Sequence, residues 1–291
     1  SYLKNNFGKE YDMHQYLKAI GFGNIKGKRE LNAILRQTEE SFTQHNLISR
    51  GDEMDFCEYQ KEFGAGIGLA LCGDMDIDEC FDRQYYYPYF FGTGITSHAD
   101  VFVEDIKIGI SLIFYLQNTV EYLKEKQLSK SSIKYTSVTL SGLCNGGTVL
   151  FPVSKDKEQE KRQQEETRNR MMLLSAAKSG DPVAIESLTL DDIDTYSEVS
   201  RRLISEDVFS IVDTYIMPYG VECDCYSIMG EIREFQQMEN EYTKEELYIM
   251  KLEVNELTFD VCVPVKDVVG EPAVGRRFKG NIWMQGRINF K

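Results

Sequence analysis

Proline, histidine and positive charge are scarce in this 291-residue chain: 6 prolines, 3 histidines, and 33 Lys and Arg against 47 Asp and Glu. So few prolines exclude collagen-like and proline-rich low-complexity material. Three histidines leave little with which to build a zinc centre or to activate a nucleophile. A net charge of −14 repels a phosphate backbone, which argues against general nucleic-acid binding. Long apolar runs are missing too. The longest, 108–116, contains Ser111 and stops at Gln117 and Asn118, short of the ~18 residues that cross a bilayer, so no membrane partner is expected. The first twenty residues hold charged groups and no apolar core of a signal peptide. Seven cysteines are an odd and scattered set, unlike a disulfide framework, and the expected location is the reducing cytoplasm.

What is present is enough for a packed protein: 42% hydrophobic and 12% aromatic residues. Met13, Tyr16, Leu17 and Ile20 predict a helix ended by Gly21, and Leu31, Ile34, Leu35 and Phe42 predict a second. From Met54 the period changes to short β-branched and aromatic runs that read as a mainly antiparallel sheet. Asn118-x-x-Glu121 has the form of a capping box. Strands over 133–140 and 148–153 are expected to join through Asn145-Gly146-Gly147. Residues 155–170 hold six cations and five anions, the pattern of a solvated helix, and 173–188 reads as an αα-hairpin. Beyond Tyr226, alternation returns, with a hairpin at Asn255-Glu256. The expected fold is α+β. An N-terminal domain of helices packed on a mainly antiparallel sheet spans 1–153, a charged helix and helical connector 154–220, and a small OB- or SH3-like β-barrel 221–291.

Templates for chemistry mostly lack a part. Asp74-x-Asp76-x-Asp78 opens like a calcium loop but has Glu79 where glycine is needed and Tyr85 where a glutamate is needed. Cys223-Asp224-Cys225 is too tight for a zinc knuckle, Cys144 has no identified base, and the glycines of 64–68 lack phosphate-loop spacing. No metal, cofactor or catalytic residue is assigned.

Two stretches stand out. Tyr85, Tyr87 and Tyr89 fall on one face of a strand that Pro88 should confine to a sheet edge, a weak candidate for an aromatic surface. In the last strand, Phe278, Ile282, Met284, Ile288 and Phe290 share one parity, while Arg277, Lys279, Trp283 and Arg287 share the other. Residues 276–291 carry five cations and no acid. An indole among cations suits an acidic partner surface or an anionic ligand. Alternatively, another part of the chain covers Trp283 and its carboxylates pair with those cations.

Three segments, Met13 to Phe22, Tyr219 to Cys223 and Gly275 to Gly286, resemble a family of uncharacterised proteins from gut-dwelling anaerobic Clostridia, classed as a domain of unknown function. The resemblance covers nearly the whole chain and implies a cytoplasmic bacterial protein, with no activity or site residues to carry over. The functional expectation is therefore a non-enzymatic binding or regulatory protein that acts through protein contacts. The alternative is an enzyme with its site near Tyr87, His98 and Asp100.

Overall fold

The computed structural model describes residues 14–49, 54–92 apart from 77 and 79, 112–128, 135–152, 212–255 and 257–290, with isolated positions between 169 and 187. The described residues are mostly β. A three-residue 3₁₀ turn (Lys18–Ile20) leads to helix α1 (Lys28–Glu40). Strands β1 (Gln44–Ile48), β2 (Asp55–Gly64), β3 (Ile67–Met75) and β4 (Phe81–Phe90) then form a four-stranded antiparallel meander in sequence order. β5 (Tyr115–Leu116), α2 (Thr119–Leu128) and the long β6 (Tyr135–Leu150) follow. After them come β7 (Tyr215–Pro218), β8 (Cys225–Glu239), β9 (Glu246–Val254), β10 (Leu257–Pro264), β11 (Val268–Val269) and β12 (Arg277–Phe290).

The second sheet closes on itself. β6 pairs with β10, β10 with β9, β9 with β8, β8 with β12, and β12 again with β6. Alternate residues of all five strands fill the inside of this ring: Val138 and Leu140, Ile228 and Ile232, Met250 and Leu252, Phe259 and Val261, Phe278 and Met284. The opposite parity, including Leu143, Ile249, Cys262 and Trp283, faces outward. There it packs with residues of the first sheet and with the N-terminal segment Tyr16 to Ile25. Thus one core lies inside the ring and a second between the ring and the meander.

The α+β expectation is corrected by this architecture. The first anticipated helix is only the 3₁₀ turn, because its bonds run three residues back (Ala19 N to Tyr16 O, Ile20 N to Leu17 O) and the left-handed Gly21 closes it after one turn. Gly21 ends the turn at φ 88°, where an added Cβ would lie 2.8 Å from Asn240 Cβ. The strands of 221–291 do not form a self-contained barrel, since β6 completes their ring from the other side of the anticipated connector. Asn145-Gly146-Gly147 is not a hairpin turn. It lies within β6, where four residues (144–147) oppose three of β12 (280–282), a bulge that lets one strand curve around the ring. The hairpin at Asn255 forms as the alternation predicts, with Asn255 itself at φ 46°. The charged stretch 155–170 and the αα-hairpin lie almost wholly outside the described residues.

Gln285, on the outer face of β12, fastens the two sheets together. Its Nε2 donates to Pro88 O (2.9 Å), and its Oε1 accepts from Phe90 N (3.1 Å) and from Gln117 Nε2 (2.8 Å). Gln285→Leu keeps the volume but strands Pro88 O and Phe90 N, each worth about 1–3 kcal/mol, and leaves Gln117 Nε2 with Phe90 O alone. We expect a loss of roughly 3–5 kcal/mol in urea unfolding, with hydrogen exchange quickened first at Phe90.

Candidate functional site

Strand register brings a set of polar side chains onto the face of the meander that meets the ring. Gln44 stands opposite Gln60 and Asn46 opposite Glu58, and the same cross-strand rows continue through Cys72 to Tyr85 and through Ala70 to Tyr87. Gln44, Asn46, Glu58 and Gln60 form one wall of a cleft of about 280 Å³. Gln117, Asn118, Glu121 and Lys124 of the α2 region, Arg287 of β12 and Phe91 complete it.

Glu58 is the buried end of the cleft, only 2% exposed. Its Oε1 accepts the Tyr87 hydroxyl at 2.7 Å and faces the Cys72 thiol at 3.8 Å, while Oε2 accepts Asn46 Nδ2 at 3.3 Å. All of these donors are neutral. Burial pushes the Glu58 carboxyl above the usual range, and the hydrogen bonds from Tyr87, Asn46 and Gln60 oppose that shift. Burial also drives the Tyr87 phenol well up, so it remains a donor.

Positive charge sits at the other end. The Arg287 guanidinium lies 5.5 Å from the centre of the Phe91 ring and 3.8 Å from the Glu121 carboxylate. Glu121 is also held by Asn118 Nδ2 at 2.8 Å. Asn118 in turn pairs with both backbone groups of Ile288, fixing the start of α2 against β12.

The residues singled out in the sequence are placed as follows. Strand parity holds along β12, but Trp283 is 6% exposed and covered. His14 lies 4.9 Å away between ring centres, Tyr16 stacks at 5.6 Å, Tyr115 packs at 5.0 Å, and the indole N–H donates to Asp224 at 2.8 Å. Arg277 is buried as well and donates to the carbonyls of Phe151 and Val212. Lys279 is part-buried, so Arg277, Lys279, Trp283 and Arg287 do not form one exposed face. The indole is packed against other parts of the chain because the outward side of β12 is itself an inter-sheet surface. The aromatic-surface expectation is corrected for the same reason. Tyr85, Tyr87 and Tyr89 do share a face, but it points inward, and Tyr87 and Tyr89 are buried. β4 is the edge that Pro88 required. Of the residues proposed for an enzyme site, Tyr87 reaches the cleft through Glu58, whereas His98 and Asp100 lie outside the described residues.

Glu58 and the amides were missed. The available signal was Glu58, Gln60 and Glu62 alternating with Cys57, Tyr59 and Lys61, a polar period-two stripe with no apolar face to oppose it.

Residues 17–286 match the model of a family described as a domain of unknown function from an E. rectale gene (DUF3881). The chain belongs to this family. The match bears out the resemblance to such a family over nearly the whole chain. No curated protein and no solved structure matches the chain.

Among the described residues of this DUF3881 chain, Glu222, Asp224 and Cys225 bring three ligand-type atoms within 4.8 Å of one another. They are engaged in holding the cover over Trp283: Asp224 takes the indole N–H, and Glu222 takes Gln15 Nε2 at 3.1 Å and the Cys225 thiol at 3.3 Å. All seven cysteines are free thiols, and burial raises Cys144 and Cys225 to about 12, far from a reactive thiolate. No helix among the described residues is long and apolar enough to cross a membrane.

Trp283 is the only tryptophan, so its emission reports the cover directly. We expect a blue-shifted native spectrum, and a loss of about 3–5 kcal/mol in Trp283→Ala by denaturant titration. Burial lowers the pKa of His14 from 6.5 to about 4. Below pH 6.5 the unfolded chain takes up a proton that the native ring refuses. The stability tied to neutral His14 is therefore complete above about 6.5 and drains as pH falls toward 4, by on the order of 3 kcal/mol. His14→Phe should remove that acid-side loss when thermal melts of the two proteins are compared from pH 7 to pH 4.

Proposed function

We propose that this protein is a non-enzymatic binding protein that holds a small polar ligand in the cleft between its two sheets. Glu58 carries the reading: it is a carboxyl buried among neutral donors on the wall of a cavity. Sequestering such a group costs free energy that packing alone would avoid, and a ligand gives it a use. The cavity falls just under the usual range of roughly 300–1,000 Å³ for ligand pockets, so the ligand is small. This replaces the sequence expectation of a protein partner read through the last strand, because Trp283 is covered. A cytoplasmic location agrees with seven free thiols and is part of the same proposal.

An enzyme is the second reading, favoured by one observation. Glu58 with a raised pKa, backed by Tyr87, has the makings of a general acid.

The test is capture. The full chain is incubated with a small-molecule extract of anaerobic gut bacteria, exchanged into buffer and denatured, and the released compounds are identified by mass spectrometry. Wild type should retain a compound in near-equal amount to protein, and Asn46→Trp, which fills the cleft, should lose it while still melting cooperatively. No retained compound, or equal retention by the variant, overturns the reading. Recovery of a chemically altered compound would favour the enzyme instead.

A further inference from the structure

We infer that the ligand is a small zwitterion of the α-amino-acid type, its ammonium group meeting Glu58 and its carboxylate meeting Arg287 and Lys124. This rests on the cleft being a binding site and specifies what it binds.

The argument starts from what each charged group lacks. Buried carboxylates are ordinarily paired with a cation or protonated. Among the described residues no Lys, Arg or His pairs with Glu58, whose donors are a phenol, a thiol and amides. Those donors satisfy its lone pairs and leave its charge uncompensated. A ligand ammonium entering the cleft would supply both a cation and up to three further N–H donors. Ionised Glu58 would then be the favoured form, reversing the effect of burial.

The other end has the opposite deficit. Arg287 has one carboxylate contact, at the long distance of 3.8 Å, and the Phe91 ring beneath its plane leaves the edges of the guanidinium open for a bidentate partner. Lys124 lines the same cavity and makes no ion pair among the described residues. A carboxylate is the group that both cations would share. The walls between the two ends are amides, Gln44, Gln60 and Gln117, which donate and accept without adding net charge. A cavity with a cation-free acid at its buried end, two cations partly offset by Glu121 at its open end and amides between them is complementary to a dipolar molecule. At about 280 Å³ it takes one of amino-acid size.

Isothermal titration of the full chain against the twenty free α-amino acids, with glucose, galactose and mannose as neutral polar controls, tests this. At least one amino acid should bind. Its analogue without the amine and its analogue without the carboxylate should each bind at least about tenfold more weakly. Glu58→Gln should erase the preference for the amino acid over its amine-free analogue. Arg287→Met, a change at a half-exposed position that spares the fold, should erase the preference over the carboxylate-free analogue. Three results overturn the inference. If a hexose binds and no amino acid does, the ligand class falls while the cleft stands. If the amine-free acid binds as tightly as the amino acid, Glu58 acts as a neutral acid and the zwitterion falls. If neither class binds and the extract yields no retained compound, both the inference and the cleft reading fall.

Discussion

One side-chain amide makes the two sheets a single structure. β4 ends as an edge, and its last backbone groups would be buried without partners against the ring. Gln285 closes that edge by imitating a strand, offering a donor to Pro88 O and an acceptor to Phe90 N. Gln117 and Ser141 finish the work at Phe90 O, at 2.9 and 2.6 Å. The last three residues of the edge, Pro88 to Phe90, are thereby paired without a further strand. The position of the cleft follows from this join. Gln117, Asn118 and α2 are held beside β12, so their polar side chains face those of β1 and β2 across the gap.

The cleft departs from the apolar packing inside the ring. The ring's interior is apolar, and on its outer face the buried Arg277, Gln285 and Ser141 find backbone partners. Glu58 instead places a buried acid among neutral donors on the wall of a cavity. Local violations of this kind are expected where function competes with stability. Trp283 shows the contrary case, since an indole among cations is in fact a packing residue with its one donor satisfied by Asp224.

Much of this was legible in local sequence, and the rest depended on distant contacts. The inward set of β12 was plain because Phe278, Ile282, Met284 and Ile288 alternate without interruption. The hairpin at Asn255 was plain because alternation and a two-residue link agree. Pro88 marked an edge because it has no N–H to give. The fate of Trp283 was hidden because its cover, His14 and Tyr16, arrives from the far end of the chain. The fold class was misjudged where helical spacing before Gly21 belonged to a single 3₁₀ turn. Asn145-Gly146-Gly147 misled because glycine serves a bulge as well as a turn, and only the partner strand distinguishes them. Glu58 was overlooked because one acid in a strand says nothing until a second sheet lies over it.

The closed ring also dictates an order of events during synthesis. β1 to β4 are joined in sequence order, so the meander can form from neighbours as the chain emerges. β6 is made next, but its partners β10, β11 and β12 are the last strands to appear. Until then a sixteen-residue strand waits with both edges open. The nascent chain therefore carries β6 unpaired while residues 151–256 are made, and the strand stays open to association until β10 and β12 arrive to close the ring.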